Sequence, residues 1–476
     1  MKAPIVRLFG LVIVLFAVLV GFTSRWAVFE AEALREHPAN RRALLQEERI
    51  KRGVIRAADG DLLAGSERLS GRRYRRRYPT AELFGHPLGY SFTSIGRSGI
   101  EKSYNDRLVG RRTELVSIFD SLLSKDQVGD DLETTLSARA QEVALRALAQ
   151  TPSRKGAVVA LDVGTGAVRV MASAPSYDPN DLDDPKVFRR LNADEANTPL
   201  VNRATQGLYP PGSTFKPVTA TAAIDAGRYQ PDSQVSGRNN KPISGVPLQN
   251  FGGADYGNIT LTQALTQSVN TVWAEVAEKI GKETMRRYME RYGFLDKPPI
   301  DLPGDEVLAS SPRRNGRAIS PTSRFVDVGR MAIGQSILLV TPLQMATVAQ
   351  TIANGGARME PYVVEKGFDE DGRTVYEAEP RRAARVMSRD TAAKLTDMMR
   401  NVVREGTGTA AALRGVDVAG KTGTAELNNN DLNTLWFIGF AGRTAVAVVV
   451  ERVQGGSGGT VAAPIAKQVL EALGEQ

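Results

Sequence analysis

The chain has 476 residues, 42% of them hydrophobic, enough for a large core and for more than one domain. It has no cysteine and only two histidines, His37 and His86, which excludes disulfides, thiolate metal sites and cysteine nucleophiles and disfavours a histidine-based triad. The formal net charge is +8, and part of the excess lies in Arg72-Arg-Tyr-Arg-Arg-Arg77; no nucleic-acid recognition motif surrounds that run, so it reads as a solvated basic face near anionic lipid or wall polymer.

The first element is an uncharged apolar run from Leu8 to Phe22, extended by Pro4-Ile-Val6, with Lys2 and Arg7 before it and Arg25 and Trp26 after it. With its flanks it is just long enough to span a bilayer. The short basic N-terminus would stay in the cytoplasm and the rest of the chain outside. No small-x-small cleavage site follows, so the segment reads as a retained anchor rather than a signal peptide.

From Ala27 to Thr151 the chain is Arg-rich, with short β-like pieces such as Arg52-Gly-Val-Ile-Arg56 and a helical pattern from Ser137 to Gln150. No catalytic grouping appears there, and the region reads as a spacer. At Lys155 the texture changes to a hairpin: an apolar run from Gly156 to Leu161, turn chemistry in Asp162-Val-Gly-Thr-Gly166, and a second strand from Ala167 to Ala172. Gly164-Thr-Gly166 lacks the third glycine and following helix of a phosphate loop.

Next comes Gly207-Leu-Tyr-Pro-Pro-Gly-Ser-Thr-Phe-Lys-Pro217, a turn that leads into a helical pattern. Gly212 precedes Ser213, so the serine falls at or within the first turn, and Lys216 shares its face three residues on. A serine attacks an acyl group only if a neighbour takes its proton, and a desolvated lysine can do so. The helix N-terminus favours an alkoxide and, later, an oxyanion. Alone the spacing is common, and a helix cap followed by a solvated lysine explains it as well.

Residues 217 to 291 read as mostly helical, interrupted by a polar stretch from Gln230 to Gly257; further helices are expected over Ser323–Met331, Pro342–Asn354 and Asp390–Arg404, with a β-ribbon from Tyr362 to Tyr376. Within the first block, Ser268-Val-Asn270 can point a hydroxyl and an amide into one cleft; an ordinary helix cap is the plainer alternative. The C-terminal part is β again, over Val416–Leu427, Leu435–Ala441 and Thr444–Val453, before a helix from Val461 to Leu473. Lys421-Thr-Gly-Thr424 lies in the first of these strands. Gly423 lets another backbone approach, an edge strand can accept an extended peptide, and Lys421 with the threonine hydroxyls can bind a carboxylate.

Ser213-x-x-Lys216, Ser268-x-Asn270 and Lys421-Thr-Gly-Thr424, in this order, form the set found in penicillin-binding proteins and β-lactamases. The chain resembles the class B penicillin-binding proteins, the monofunctional peptidoglycan D,D-transpeptidases. The resemblance extends over the anchor, Arg52-Gly-Val-Ile55, Ser98-Gly-Ile-Glu101, Ala174-Pro-Ser-Tyr-Asp-Pro-Asn180, Asn202-Arg-Ala-Thr205, Tyr209–Lys216 and Ala332-Ile-Gly-Gln335. It implies that Ser213 attacks the penultimate D-alanine of a stem peptide with Lys216 as base, and that the oxyanion sits between the N–H groups of Ser213 and Thr424. It further implies that Ser268 protonates the leaving amine, Asn270 holds the donor peptide, and Lys421, Thr422, Gly423 and Thr424 form the carboxylate-binding strand. No metal or organic cofactor has a role in that scheme. Val269 in the middle of the second motif, and the lack of a Glu-x-x-Leu-Asn string between Asn270 and Lys421, argue against a class A β-lactamase. A D,D-carboxypeptidase or a non-catalytic β-lactam sensor is the alternative.

The resulting expectation is an α+β protein in three parts. Residues 1–26 form the cytoplasmic tip and transmembrane anchor, and 27–151 a smaller non-catalytic α+β spacer. Residues 152–476 form a transpeptidase domain with a five-stranded, mainly antiparallel sheet flanked by helices and an α-helical subdomain. The resemblance implies stem peptides and β-lactams as ligands, a bacterial cell membrane location with the catalytic part extracytoplasmic, and docking on a polytopic membrane glycan polymerase of the SEDS type.

Overall fold

A computed structural model describes residues 2–26, 47–70, 73–110, 128–427 and 432–474; His37 and Arg72 lie outside the described residues. The first element, α1 (Lys2–Ser24), is a single apolar helix that is exposed from Pro4 to Ser24. Its 21 residues from Pro4 to Ser24 make it long and apolar enough to cross a membrane, about 30 Å at helical rise.

The centre of the fold is a five-stranded antiparallel sheet. In chain order the strands are labelled β1 (Ile55–Arg56), β2 (Leu62–Arg68), β3 (Tyr74–Arg77), β4 (Asp131–Thr134), β5 (Gly156–Asp162), β6 (Val168–Ala174), β7 (Val364–Phe368), β8 (Thr374–Glu377), β9 (Ala419–Leu427), β10 (Leu432–Ala441) and β11 (Thr444–Gln454). The central order is β9-β10-β11-β5-β6. Both expected strand groups meet in it, the first hairpin pairing with β11 from Gly156↔Val450 to Asp162↔Thr444. The turn at Asp162 is closed by its own carboxylate, which accepts from the N–H groups of Gly164 and Thr165.

Alternate side chains of this sheet enter two cores, which is why its strands read as unbroken apolar runs. Val158, Ala160, Phe437, Val446, Val448 and Val450 pack under α2 (Ala138–Ala149) and the C-terminal helix Ala463–Ala472. Val159, Leu161, Trp436, Ile438, Ala447 and Val449 join the larger core. That core holds α3 (Lys216–Asp225), α4 (Leu261–Thr266), α5 (Asn270–Ile280), α6 (Pro342–Ala353) and α7 (Arg389–Arg404). The helix expected over Ser323–Met331 is only Val328–Ala332: Asp327 accepts from Arg330 N at its start, and the Ser/Thr/Pro-rich stretch before it stays a loop.

The second sheet, in the order β8-β7-β4-β1-β2-β3, draws strands from both ends of the chain. The β7–β8 hairpin pairs with β4 through Phe368↔Asp131 and Val364↔Thr134. Asp301 ties the same junction, accepting from Val363 N, Val364 N and the Tyr104 hydroxyl. Near its β3 edge, Glu101, on the short helix Gly99–Ser103, is fully buried between Arg76 (2.5 Å) and Arg52 (2.6 Å). Burial alone would raise its pKa, but the two guanidiniums reverse this and hold the carboxyl below its usual range. The basic run is therefore not a uniform solvated face as expected from sequence: Arg76 is a core residue, while Arg75 and Arg77 pair with Asp183 and Glu67.

Candidate active site

Ser213 sits in a 3₁₀ turn, Gly212–Phe215, that runs into α3 at Lys216. In 3₁₀ geometry residues three apart eclipse, so Ser213 and Lys216 share one face. Proline at the second position of α3 needs no amide partner and stiffens its start. The turn is clamped from several sides. Thr214 Oγ1 donates to Pro211 O at 2.7 Å, Trp436 Nε1 to Pro210 O at 3.0 Å, and Tyr209 exchanges backbone bonds with Val340. Phe215 is buried edge-on to Phe294, with 5.5 Å between centroids. Ser213 itself stays partly exposed while Thr214, Phe215 and Lys216 are buried.

Glycines let three backbones crowd behind the serine. Gly212, at φ 53°, would place a Cβ 2.8 Å from Thr424 O. A Cβ on Gly423 would lie 2.8 Å from Pro211 O and 2.9 Å from Thr214 Cγ2. Strand β9 therefore passes directly against the Ser213 turn, as its central glycine suggested.

The Lys216 amine is fully buried. It donates to Ser268 O and to Asn270 Oδ1, each at 2.7 Å, with Ser268 Oγ at 3.2 Å. Lys421, equally buried on β9, donates to the same Ser268 Oγ at 2.9 Å and to Thr422 O at 2.9 Å. One hydroxyl thus bridges two amines. Burial, reinforced by the Lys421 charge, pushes the Lys216 pKa well below its ordinary value. Burial alone brings Lys421 down to about 7.

All eight residues singled out from sequence are brought to one place. Ser268 links α4 to α5 with φ 56°, a left-handed conformation rare for serine, and this turns its hydroxyl to the lysines. Asn270 opens α5; its Oδ1 faces Lys216 and its Nδ2 donates to Gln249 O at 3.2 Å. Lys421 reaches Ser268, whereas Thr422 Oγ1 meets Thr407 Oγ1 at 2.5 Å and Thr424 Oγ1 accepts from Gly458 N at 3.3 Å. Because β9 is the first strand of its sheet, its other edge is open beside the serine.

Sequence reading missed Thr407, Gly458 and Gln249, and it quoted Gly334 within Ala332-Ile-Gly-Gln335 without giving it a role. Gly334 accepts from Gly212 N through its carbonyl, and a Cβ there would meet Gly212 O at 1.9 Å. The sole local signal for Thr407 is glycine density, Gly406-Thr-Gly408, where Gly406 abuts Thr266 O. His86 is buried, donates from Nε2 to Pro199 O at 2.8 Å, and is held by burial at a pKa of about 4, which suits a core residue rather than a base.

Comparisons with known proteins show what the chain is similar to. The penicillin binding protein transpeptidase domain matches residues 156–471, and the penicillin binding protein A dimerisation domain matches 52–132. The peptidoglycan D,D-transpeptidase PbpA of Mycolicibacterium smegmatis is 36% identical over 99% of this chain and 99% of that protein. Its Mycobacterium tuberculosis counterpart is 35% identical over the same shares. Among solved structures, penicillin-binding protein A from M. tuberculosis as a ceftriaxone acyl-enzyme complex superposes with a TM-score of 0.81 at 33% identity, over 90% of this chain and 99% of that one. A D,D-transpeptidase domain from Eggerthella lenta gives 0.77 at 35% identity, over 89% and 98%.

Proposed function

The chain belongs to the penicillin-binding protein transpeptidases, and we propose for it the following residue-by-residue mechanism. Its activity is peptidoglycan D,D-transpeptidation through an acyl-serine, a serine that β-lactams also acylate. Ser213 Oγ attacks the carbonyl carbon of the penultimate D-alanine, and Lys216 takes the hydroxyl proton. The oxyanion is held by the N–H groups of Ser213 and Thr424. As the C–N bond breaks, Ser268 Oγ gives a proton to the departing D-alanine amine and is reprotonated from Lys216. An amine of a second stem peptide then attacks the acyl-serine by the same path in reverse. Lys421, with the Thr422 and Thr424 hydroxyls, receives the substrate carboxylate, and Gly423 keeps β9 close to the turn. Asn270 orients Lys216 with Oδ1 and retains one Nδ2 hydrogen for a donor carbonyl.

The observation that carries this reading is the buried Lys216 amine, held by Ser268 and Asn270, on the face of a partly exposed serine that lies beside the edge strand β9. The test is labelling with a fluorescent penicillin and mapping of the adduct by mass spectrometry. The adduct is expected on Ser213 and absent from Ser213→Ala, and an adduct on any other residue overturns the assignment.

We further propose the division into an anchor (1–26), a spacer (27–151) and a catalytic part (152–476), with α1 spanning the bacterial membrane and the remainder extracytoplasmic. The spacer and anchor would dock on a polytopic glycan polymerase of the SEDS type, because crosslinking needs newly made strands close to the cleft. Holding the site there raises effective substrate concentration without any new contact in the cleft.

A further inference from the structure

Strand β9 continues past Thr424 through Ala425, Glu426 and Leu427, and a cavity of about 520 Å³ opens beside this stretch. Pro210, Gln335, Ser336, Leu339, Glu426 and Arg452 line it. Pro210 leads into the nucleophile turn, and Gln335 follows Gly334, which is bonded to Gly212. The cavity therefore adjoins the site, on the side away from Lys421.

Its two charges are opposite in sign, exposed, and without an ion-pair partner among the described residues. Arg452 owes its place to a β-bulge. The register of β10 on β11 jumps from Asn433↔Val453 to Leu435↔Val450, so Glu451 and Arg452 together face Thr434. Arg452 adopts φ 55° there. A bulge re-aims side chains, and this one separates two neighbours: Glu451 turns back to Arg203 Nε at 2.6 Å, while Arg452 borders the cavity.

The direction of a bound donor follows from the proposed mechanism, on which this inference rests. With its terminal carboxylate at Lys421 and its scissile carbonyl at Thr424 N, a peptide added to the β9 edge must run on along Ala425 to Leu427. The residue immediately upstream of the two D-alanines then lies beside the cavity. We infer that the cavity receives that residue's side chain and selects one bearing both an ammonium and a carboxylate group. Glu426 attracts the ammonium, Arg452 the carboxylate, and Gln335 and Ser336 supply hydrogen bonds at the rim. Both charges are water-exposed, so each contributes a few-fold preference that salt weakens.

The test uses the full-length protein and three peptides ending in X-D-Ala-D-Ala, with X zwitterionic (a diaminodicarboxylic acid), lysine, or norleucine. Each acylation kcat/KM is divided by that of benzylpenicillin, which lacks X, on the same protein sample. This ratio cancels any loss of folded enzyme. The expected order is zwitterionic, then lysine, then norleucine, each step about threefold to tenfold. Glu426→Gln should remove the lysine-over-norleucine step and Arg452→Gln the zwitterion-over-lysine step. Equal ratios for all three peptides, or variants that retain both steps, would overturn the inference. Failure of every donor and of benzylpenicillin to form a Ser213 adduct would instead overturn the mechanism beneath it.

Discussion

Lys216 Nζ has two acceptors at 2.7 Å, and a neutral amine has two hydrogens to give them. In that state its lone pair is left for the Ser213 proton, so in the proposed mechanism the neutral form is the active base. Both lysines are buried, but Lys216 also feels the Lys421 charge and so loses its proton first as pH rises. Acylation kcat/KM should climb as Lys216 becomes neutral and fall above about pH 7, as Lys421 loses the charge that attracts the carboxylate. Lys421→Gln should move the rising limb to higher pH, because removing a positive neighbour raises the Lys216 pKa. A pH–rate profile of penicillin acylation checks both limbs, and a rising limb unmoved in Lys421→Gln would contradict the coupling. Lys216→Arg keeps the charge but cannot shed it, so acylation should drop about a hundred- to ten-thousandfold. The Ser213–Lys216 pair was legible because three residues along a helical turn bring side chains together whatever the tertiary context. The bridging role of Ser268 was not, since it depends on a left-handed backbone and on two amines arriving from α3 and β9.

At the scale of elements, strand β9 matters for where it lies as much as for what it carries. A methyl group at Gly423 would push β9 away from Pro211 O and Thr214. Gly423→Ala is therefore expected to reduce the acylation rate about a hundredfold, the usual consequence of displacing an oxyanion donor by about an ångström. Rapid-mixing kinetics with a chromogenic cephalosporin would measure this, and near-native rates would show that the approach is not needed. In the second sheet the decisive element is Glu101 between Arg52 and Arg76. Glu101→Gln leaves the buried Arg76 without an ion-pair partner among the described residues and Arg52 with only the more distant Glu47, at 3.9 Å, and should destabilise that sheet by about 3–5 kcal/mol. Hydrogen exchange should then accelerate in β1 to β3, and unchanged protection there would refute the role given to Glu101. Glu101 keeps its charge below the usual carboxylate pKa, so its contribution is present at neutral pH and disappears as pH falls through that lowered value. The strands of the central sheet were readable from their apolar runs. Burial of Arg76 was not, because a run of arginines shows the same composition whether one member meets a carboxylate or all meet water. The bulge at Arg452 left no mark either, since it arises from how β11 registers on β10.

For the whole molecule, the question is which part can be removed without harming the cleft. A cut near Lys155 looks natural from sequence, where the spacer carries no chemistry. In the fold it would strip α2 from the sheet face formed by Val158, Val446 and Val448, and β4 from β7. That fragment should aggregate rather than bind penicillin. The dispensable piece for acylation is α1, which is exposed from Pro4 to Ser24 and buries nothing against the catalytic residues described. An exported variant lacking residues 1–26 should therefore acylate at the full-length rate. In cells depleted of the full-length protein it should fail to restore growth, because under the proposed docking a freely diffusing enzyme loses the concentration advantage of standing beside a membrane glycan polymerase. A third variant, with α1 replaced by an unrelated membrane helix, separates tethering from docking. If the spacer makes the contact, the swapped helix should restore growth; if α1 takes part, restoration should be incomplete. Full complementation by the soluble variant would show that neither tether nor docking is required, and the proposed partnership would fall.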